Sequence, residues 1–212
     1  GAANPGFFTH ESATRGLTTA HSSGAAAFGD VDDDGDLDLI VNDAYNGGPA
    51  ARPHLYINDG TGVFTEDAPA LNAPLKAGQM DVLFVDIDGD FDADFFGANK
   101  SVNGGGNHYL LLNDGTGVFT NQSSLLAVGT GNVYEADVGD LDGDDDLDLF
   151  FVSSSGFAEG AVRNNLVPSG TLTFTNQPTM GAVDDNEIVL FDYDMDGDSD
   201  VLVGSLGTHE YL

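Results

Sequence analysis

A chain of 212 residues, 41% of them hydrophobic, can bury a core, which excludes wholesale disorder. Its 36 acidic residues face only five basic ones, for a formal charge of −31, which excludes nucleic acid and anionic membrane surfaces as partners because both need Lys or Arg against phosphate. There is no cysteine, so disulfides, thiol catalysis and cysteine-ligated zinc are excluded, and no apolar run reaches membrane-spanning length.

The chain opens GAANPG without an initiator Met or a signal-like apolar core, which predicts a processed or excised form. An Ala-rich strand, Ala25 to Phe28, then leads into DVDDDGDLDLIV from Asp30, aspartates at alternate positions ending on a short apolar strand. The pattern returns as DIDGDFDADFF from Asp86, DLDGDDDLDLFFV from Asp140 and DYDMDGDSDVLV from Asp192, with starts 56, 54 and 52 residues apart. Near-equal spacing predicts one supersecondary unit built four times, each Asp run being the loop of a hairpin. Upstream strands are predicted at Val82 to Val85, Tyr134 to Val138 and Ile188 to Phe191, and downstream strands at Leu37 to Val41, Ala93 to Phe96, Leu147 to Val152 and Val201 to Val203.

A second hairpin follows in each unit. HLYINDGTGVFTED at His54 and YLLLNDGTGVFTNQ at Tyr109 share the turn NDGTG, and AVRNNLVPSGTLTFTN at Ala161 has a longer turn. Four antiparallel strands per unit predict an all-β fold, a β-propeller of four four-stranded blades in one domain. The repeats run approximately 12–67, 68–121, 122–176, and 177–212 plus 1–11. The C-terminal HEYL matches His54 to Ile57 and the N-terminal NPGFFTHE matches the following turn and strand, so the N-terminal strand is expected to complete the last blade and close the ring. The alternative is an arc or half of a larger propeller: a closed ring predicts a monomer, a half-ring a homodimer.

Calcium takes six to eight oxygen ligands, and a loop with carboxylates at positions 1, 3, 5 and 9 and a carbonyl at position 7 wraps one ion. The four candidate sites are Asp30, Asp32, Asp34 and Asp38 with the carbonyl of Asp36; Asp86, Asp88, Asp90 and Asp94 with that of Asp92; Asp140, Asp142, Asp144 and Asp148 with that of Asp146; and Asp192, Asp194, Asp196 and Asp200 with that of Asp198. About four Ca²⁺ are expected, one per blade. Gly35 and Gly197 supply the bend at position 6; Phe91 and Asp145 replace it in the second and third loops, which predicts weaker binding, above all at the second. The alternative is a set of solvated acidic turns without metal.

The DxDxDG-type loops after an apolar strand, with Phe28-Gly29 before the first, resemble the FG-GAP or VCBS repeat family of integrin α-chain propellers, some fungal lectins and many secreted bacterial proteins. The resemblance covers essentially the whole chain. It implies a rigid propeller platform with structural calcium, and leaves the ligand open.

Four divalent cations, eight positive charges in all, would bring −31 only to −23, and that residual acidity fits an extracellular, secreted or cell-surface setting. The loops on the face opposite the Asp runs are the expected place for a glycan or protein ligand. Tyr45, Asn46, Tyr134 and Phe157 are candidate sugar-stacking or hydrogen-bonding groups, with packing in the inner strand for Tyr134 and gap filling for the others as the alternative. His54 and His209 sit at matching strand starts, with His108 offset by one, which reads as packing or as a histidine metal site. No spacing pairs the glutamates Glu66, Glu135, Glu159, Glu187 and Glu210 into a catalytic couple. The preferred reading is a non-enzymatic, calcium-binding adhesion module; the alternatives are a domain of a secreted polysaccharide-degrading enzyme and a purely structural repeat.

Overall fold

The hairpin grammar is realised as meanders. The computed structural model describes residues 9–19, 23–42, 52–67, 71, 75, 78–100, 108–126, 132–154, 159–178 and 185–205. The first sheet is β1 (Ala26–Gly29), β2 (Asp38–Val41), β3 (His54–Asn58) and β4 (Phe64–Glu66). The second is β5 (Gln79–Val85), β6 (Asp94–Asn99), β7 (Tyr109–Asn113) and β8 (Phe119–Asn121). The third is β9 (Val133–Gly139), β10 (Asp148–Ser153), β11 (Gly160–Asn164) and β12 (Phe174–Asn176). Every neighbouring pair in them is antiparallel, in chain order. The fourth sheet is β13 (Asp185–Phe191) with β14 (Asp200–Ser205); the segments expected to complete it and close the ring, 206–212 and 1–8, lie outside the described residues.

The sheets stack face to face in chain order, because each strand that alternates its side chains has apolar groups on both faces to cover. Ile40, Leu55, Phe95 and Leu111 fill the layer between the first and second sheets. Ile87, Phe96, Leu110, Leu149 and Val162 fill the next, and Phe150, Val152, Ile188 and Val203 the third. β6, sandwiched on both sides, is buried at every residue. The first strands β1, β5, β9 and β13 are neighbours in succession, which is the blade arrangement of a β-propeller. At the first layer the approach is so close that a Cβ on Gly29 would lie 2.8 Å from the Phe84 ring.

Two series of hydrogen bonds cross these layers. Running forward, Asp81 of β5 accepts from the Ala136 N–H of β9 at 3.1 Å, and Glu135 of β9 accepts from the Ile188 N–H of β13 at 2.9 Å. Running backward, Asn113 at the end of β7 donates its amide to the Val31 carbonyl in the first Asp loop at 2.8 Å, and Asn164 at the end of β11 donates to Ile87 in the second at 2.9 Å. Both series satisfy backbone groups that lie on the free inner edge or in a loop, where no strand neighbour is present to do so.

Candidate metal centres

Each Asp run folds around its own first and last carboxylates. The position-1 aspartate accepts from the N–H groups of positions 5 and 6, at 3.2 and 2.9 Å for Asp30 and 3.1 and 3.0 Å for both Asp86 and Asp140, with Asp192 placed alike. In the first three loops the position-9 aspartate is buried and spans two elements. Asp94 takes the Ile87 N–H on one oxygen and the Asn113 N–H on the other, at 3.0 and 2.8 Å, and Asp38 and Asp148 repeat this with Val31 and Asn58 and with Leu141 and Asn164. It therefore ties the loop to the third strand of its own sheet. In the fourth loop Asp200 accepts from Tyr193.

With the ends fixed, the middle carboxylates converge. Ligand oxygens of Asp30, Asp32 and Asp38, of Asp86, Asp88 and Asp90, of Asp140, Asp142 and Asp148, and of Asp192, Asp194 and Asp200 lie within 4.8 Å of one another in each group. The position-5 aspartates Asp34, Asp144 and Asp196 instead accept from the N–H of position 7, as Asp90 also does. Three position-7 side chains reach the second hairpin of their own sheet: Asp36 and Asp92 back onto Gly60 and Gly115 of the NDGTG turns, where a Cβ would lie 2.4 and 2.7 Å away, and the buried Asp146 accepts from the Val167 N–H.

The position-3 carboxylates carry the test of fit. Asp32 and Asp88 each hold one Oδ1 buried with no hydrogen-bond partner. Burial first, and then the adjacent acids, holds Asp32 and Asp142 above the usual carboxylate range and pushes Asp88 up to about 6. An all-oxygen donor set with an orphaned, desolvated carboxylate oxygen fits a hard divalent cation such as Ca²⁺.

The bend is shared between two positions. Positions 4 and 6 both take the left-handed conformation in all four loops: Asp33 at φ 57° with Gly35, Gly89 with Phe91 at 74°, Gly143 with Asp145 at 70°, and Met195 at 64° with Gly197. Each loop spends its one glycine at either place. The second and third loops therefore have the same backbone as the others, and the expectation of weaker binding from Phe91 and Asp145 loses its geometric basis. Phe91, bulky and 94% exposed, is strained at this φ without burial in return. Phe91→Gly is expected to raise stability by about 1–2 kcal/mol in urea unfolding.

The loops differ instead at Arg163. It holds the β11 place taken by Ile57 in β3 and Leu112 in β7, and its guanidinium meets Asp142 and donates to Asp144 at 2.9 Å. The third loop thus brings a resident monovalent cation to acids that would face the ion. Arg163→Leu is expected to tighten calcium binding at the third loop by about tenfold, the equivalent of one charge-assisted bond lost as a competitor. Calorimetric calcium titration of both proteins reads this; equal binding curves would refute the competition.

Away from the loops, the Lys100 Nζ lies 4.0 Å above the Tyr134 ring, so one face of that candidate stacking residue is already covered. Tyr45, Asn46 and Phe157 lie outside the described residues, as does His209. His54 pairs with Glu66 at 2.7 Å, and His108 accepts from the Asn99 N–H and stacks between Phe96 and Phe151, which is strand-start packing. Sequence reasoning missed a cleft of about 300 Å³ between the first two Asp loops, lined by Phe28, Phe84 and Phe91 with Asp33 and Asp92.

It also missed a buried acid pair. Glu159 and Asp185, 3% and 0% exposed, are buried as neighbours, with Glu159 Oε1 and both Asp185 oxygens lacking any hydrogen-bond partner. Burial first, then Asp185, pushes Glu159 up to about 7. Because the folded value is raised above the unfolded one, this contribution is full at pH below 4.5 and is lost as pH rises toward 7. Glu159→Gln is expected to add about 2–3 kcal/mol at pH 8 and nothing at pH 4.5, read by urea unfolding at the two pH values.

Among family models, an FG-GAP-like repeat matches residues 30–97 and 86–151, each match running from the start of one Asp loop through the next. A search of curated proteins finds no match.

Proposed function

Since this chain belongs to the FG-GAP-like repeat family, a non-enzymatic repeat module of the adhesion type, we propose that it is a calcium-stabilised binding module working outside the cell. The observation that carries the reading is the orphaned Asp32 and Asp88 oxygen at the centre of a loop whose ends are already tied down. Bound Ca²⁺ would offset two negative charges per loop, bridge the converging carboxylates and clamp the hairpin. The position-1 and position-3 aspartates would hold it, with the position-9 aspartate in the first, third and fourth loops and Asp90 in the second. Loops of this charge suit a compartment with abundant free calcium, where weak sites fill.

The ligand in this reading is a glycan or a protein, taken by the loops opposite the Asp runs. The non-enzymatic character of the family speaks against the polysaccharide-degrading alternative. A second reading places the ligand on the ion side, in the cleft beside Phe91, because an exposed aromatic kept in a strained conformation is a feature of binding sites. Glycan-array binding in calcium and in chelator tests both. Calcium-dependent binding that survives Phe91→Gly supports the opposite face, and loss with Phe91→Gly supports the cleft. Failure to bind Ca²⁺ at millimolar concentration would sink the proposal at its base.

A further inference from the structure

The hydrogen bonds that join consecutive sheets, the forward series beginning at the second sheet because Ala25 holds the acid's place in the first, stop at the ends of the array on complementary groups. At the fourth sheet, Glu187 stands five residues before its Asp run, the place of Asp81 and Glu135. At the first sheet, Ala26 stands four residues before its run, the place of Ala136 and Ile188, whose N–H groups those acids hold. Asn58, the counterpart of Asn113 and Asn164, donates to Leu37 of its own sheet. Its counterparts bond their own sheet too, and also reach the position-2 carbonyl of the preceding loop. The position-2 residue of the fourth loop is Tyr193.

The apolar groups on these two faces are uncovered as well. Phe28 is 59% exposed, Val189 52%, Phe191 38% and Leu202 38%, although the residues beside them on the opposite faces, such as Ile188 at 5%, are buried by the adjoining sheet. A face built with the same residue positions as three filled layers is a layer awaiting its other half.

We infer that the fourth sheet of one molecule docks on the first sheet of a second copy, with Glu187 accepting from the Ala26 N–H, Asn58 donating to the Tyr193 carbonyl, and Phe28 packed against Val189 and Phe191. Two copies related by a two-fold axis satisfy all four end faces at once. They form a ring of eight blades, within the usual range for propellers of about four to eight. In one molecule alone, the described end faces stay open to water. This inference concerns the ends of the array and stands whether or not a glycan binds.

The chain has no cysteine, so a disulfide probe is clean. Glu187→Cys and Ala26→Cys are made separately and together, with Glu135→Cys/Ile188→Cys as the control for a filled layer within one chain. Mixing the two single variants under oxidising conditions in calcium is expected to give a covalent species of twice the 22.0 kDa chain mass. Sedimentation of the unmodified protein is expected to give the same doubled mass, and Glu187→Lys with Phe28→Asp is expected to return it to one chain while keeping its circular dichroism spectrum. A double variant that cross-links only within a single chain would mean that the ring closes on itself and would overturn the inference, as would a monomer at all concentrations with no cross-link in a control-positive preparation.

Discussion

Stripping divalent cations from the folded protein is expected to lower its thermal midpoint by roughly 20 °C or more. At free Ca²⁺ about 100-fold above the dissociation constant, each site adds about 2.7 kcal/mol, and four sites add about 11. One kcal/mol moves the midpoint of a domain this size by about 2–4 °C. The loss is distributed unevenly. Positions 1 and 9 stay bonded to backbone N–H groups without any ion, so the hairpin outline should survive, while the position-3 carboxylates are left facing their neighbours in a site that dehydrates them. The third loop, held by Arg163, should lose least. Differential scanning calorimetry gives the midpoint, and amide exchange gives the order of the loops. A midpoint unmoved by excess chelator would remove the stabilising role altogether.

The part of this architecture that sequence exposes is the part that repeats. Alternate aspartates every 52 to 56 residues can only be the same loop rebuilt, and the apolar stretches around them become β1, β2 and their counterparts with small changes at the ends. What sequence hides is what depends on a neighbour. Asp81 and Glu135 look like scattered acids until the sheets are stacked and each is found on the edge N–H of the next. Glu159 and Asp185 come from separate repeats and have no spacing to relate them. Arg163 was visible by aligning β3, β7 and β11 on their final asparagines, where one charge replaces Ile57 and Leu112. The glycine exchange was visible too: Gly89 and Gly143 stand at position 4 in the two loops that lack glycine at position 6, and a template with a single required glycine conceals the second left-handed residue.

The same dependence on neighbours divides the aspartates of one loop into two kinds, and a pair of substitutions in the second loop separates them. Asp94 is buried, pushed up to about 7 by that burial, and yet retained because the Ile87 and Asn113 N–H groups have no other acceptor. Asp94→Ala leaves two buried donors unsatisfied at about 1–3 kcal/mol each, so a loss of about 2–6 kcal/mol is expected in calcium and in chelator alike. Asp88 faces the opposite way, with an oxygen that meets no donor. Asp88→Asn should destabilise in calcium by about the binding energy of one site, about 2.7 kcal/mol at the same excess of ion, and should be neutral or stabilising in chelator, where it removes a repelled, dehydrated charge. Urea titrations of both variants in the two buffers give four numbers. If Asp88→Asn costs the same with and without calcium, the position-3 carboxylate has a structural partner and the loop is no ion site; if Asp94→Ala costs nothing in chelator, the clamp between loop and third strand is formed by the ion rather than by the carboxylate.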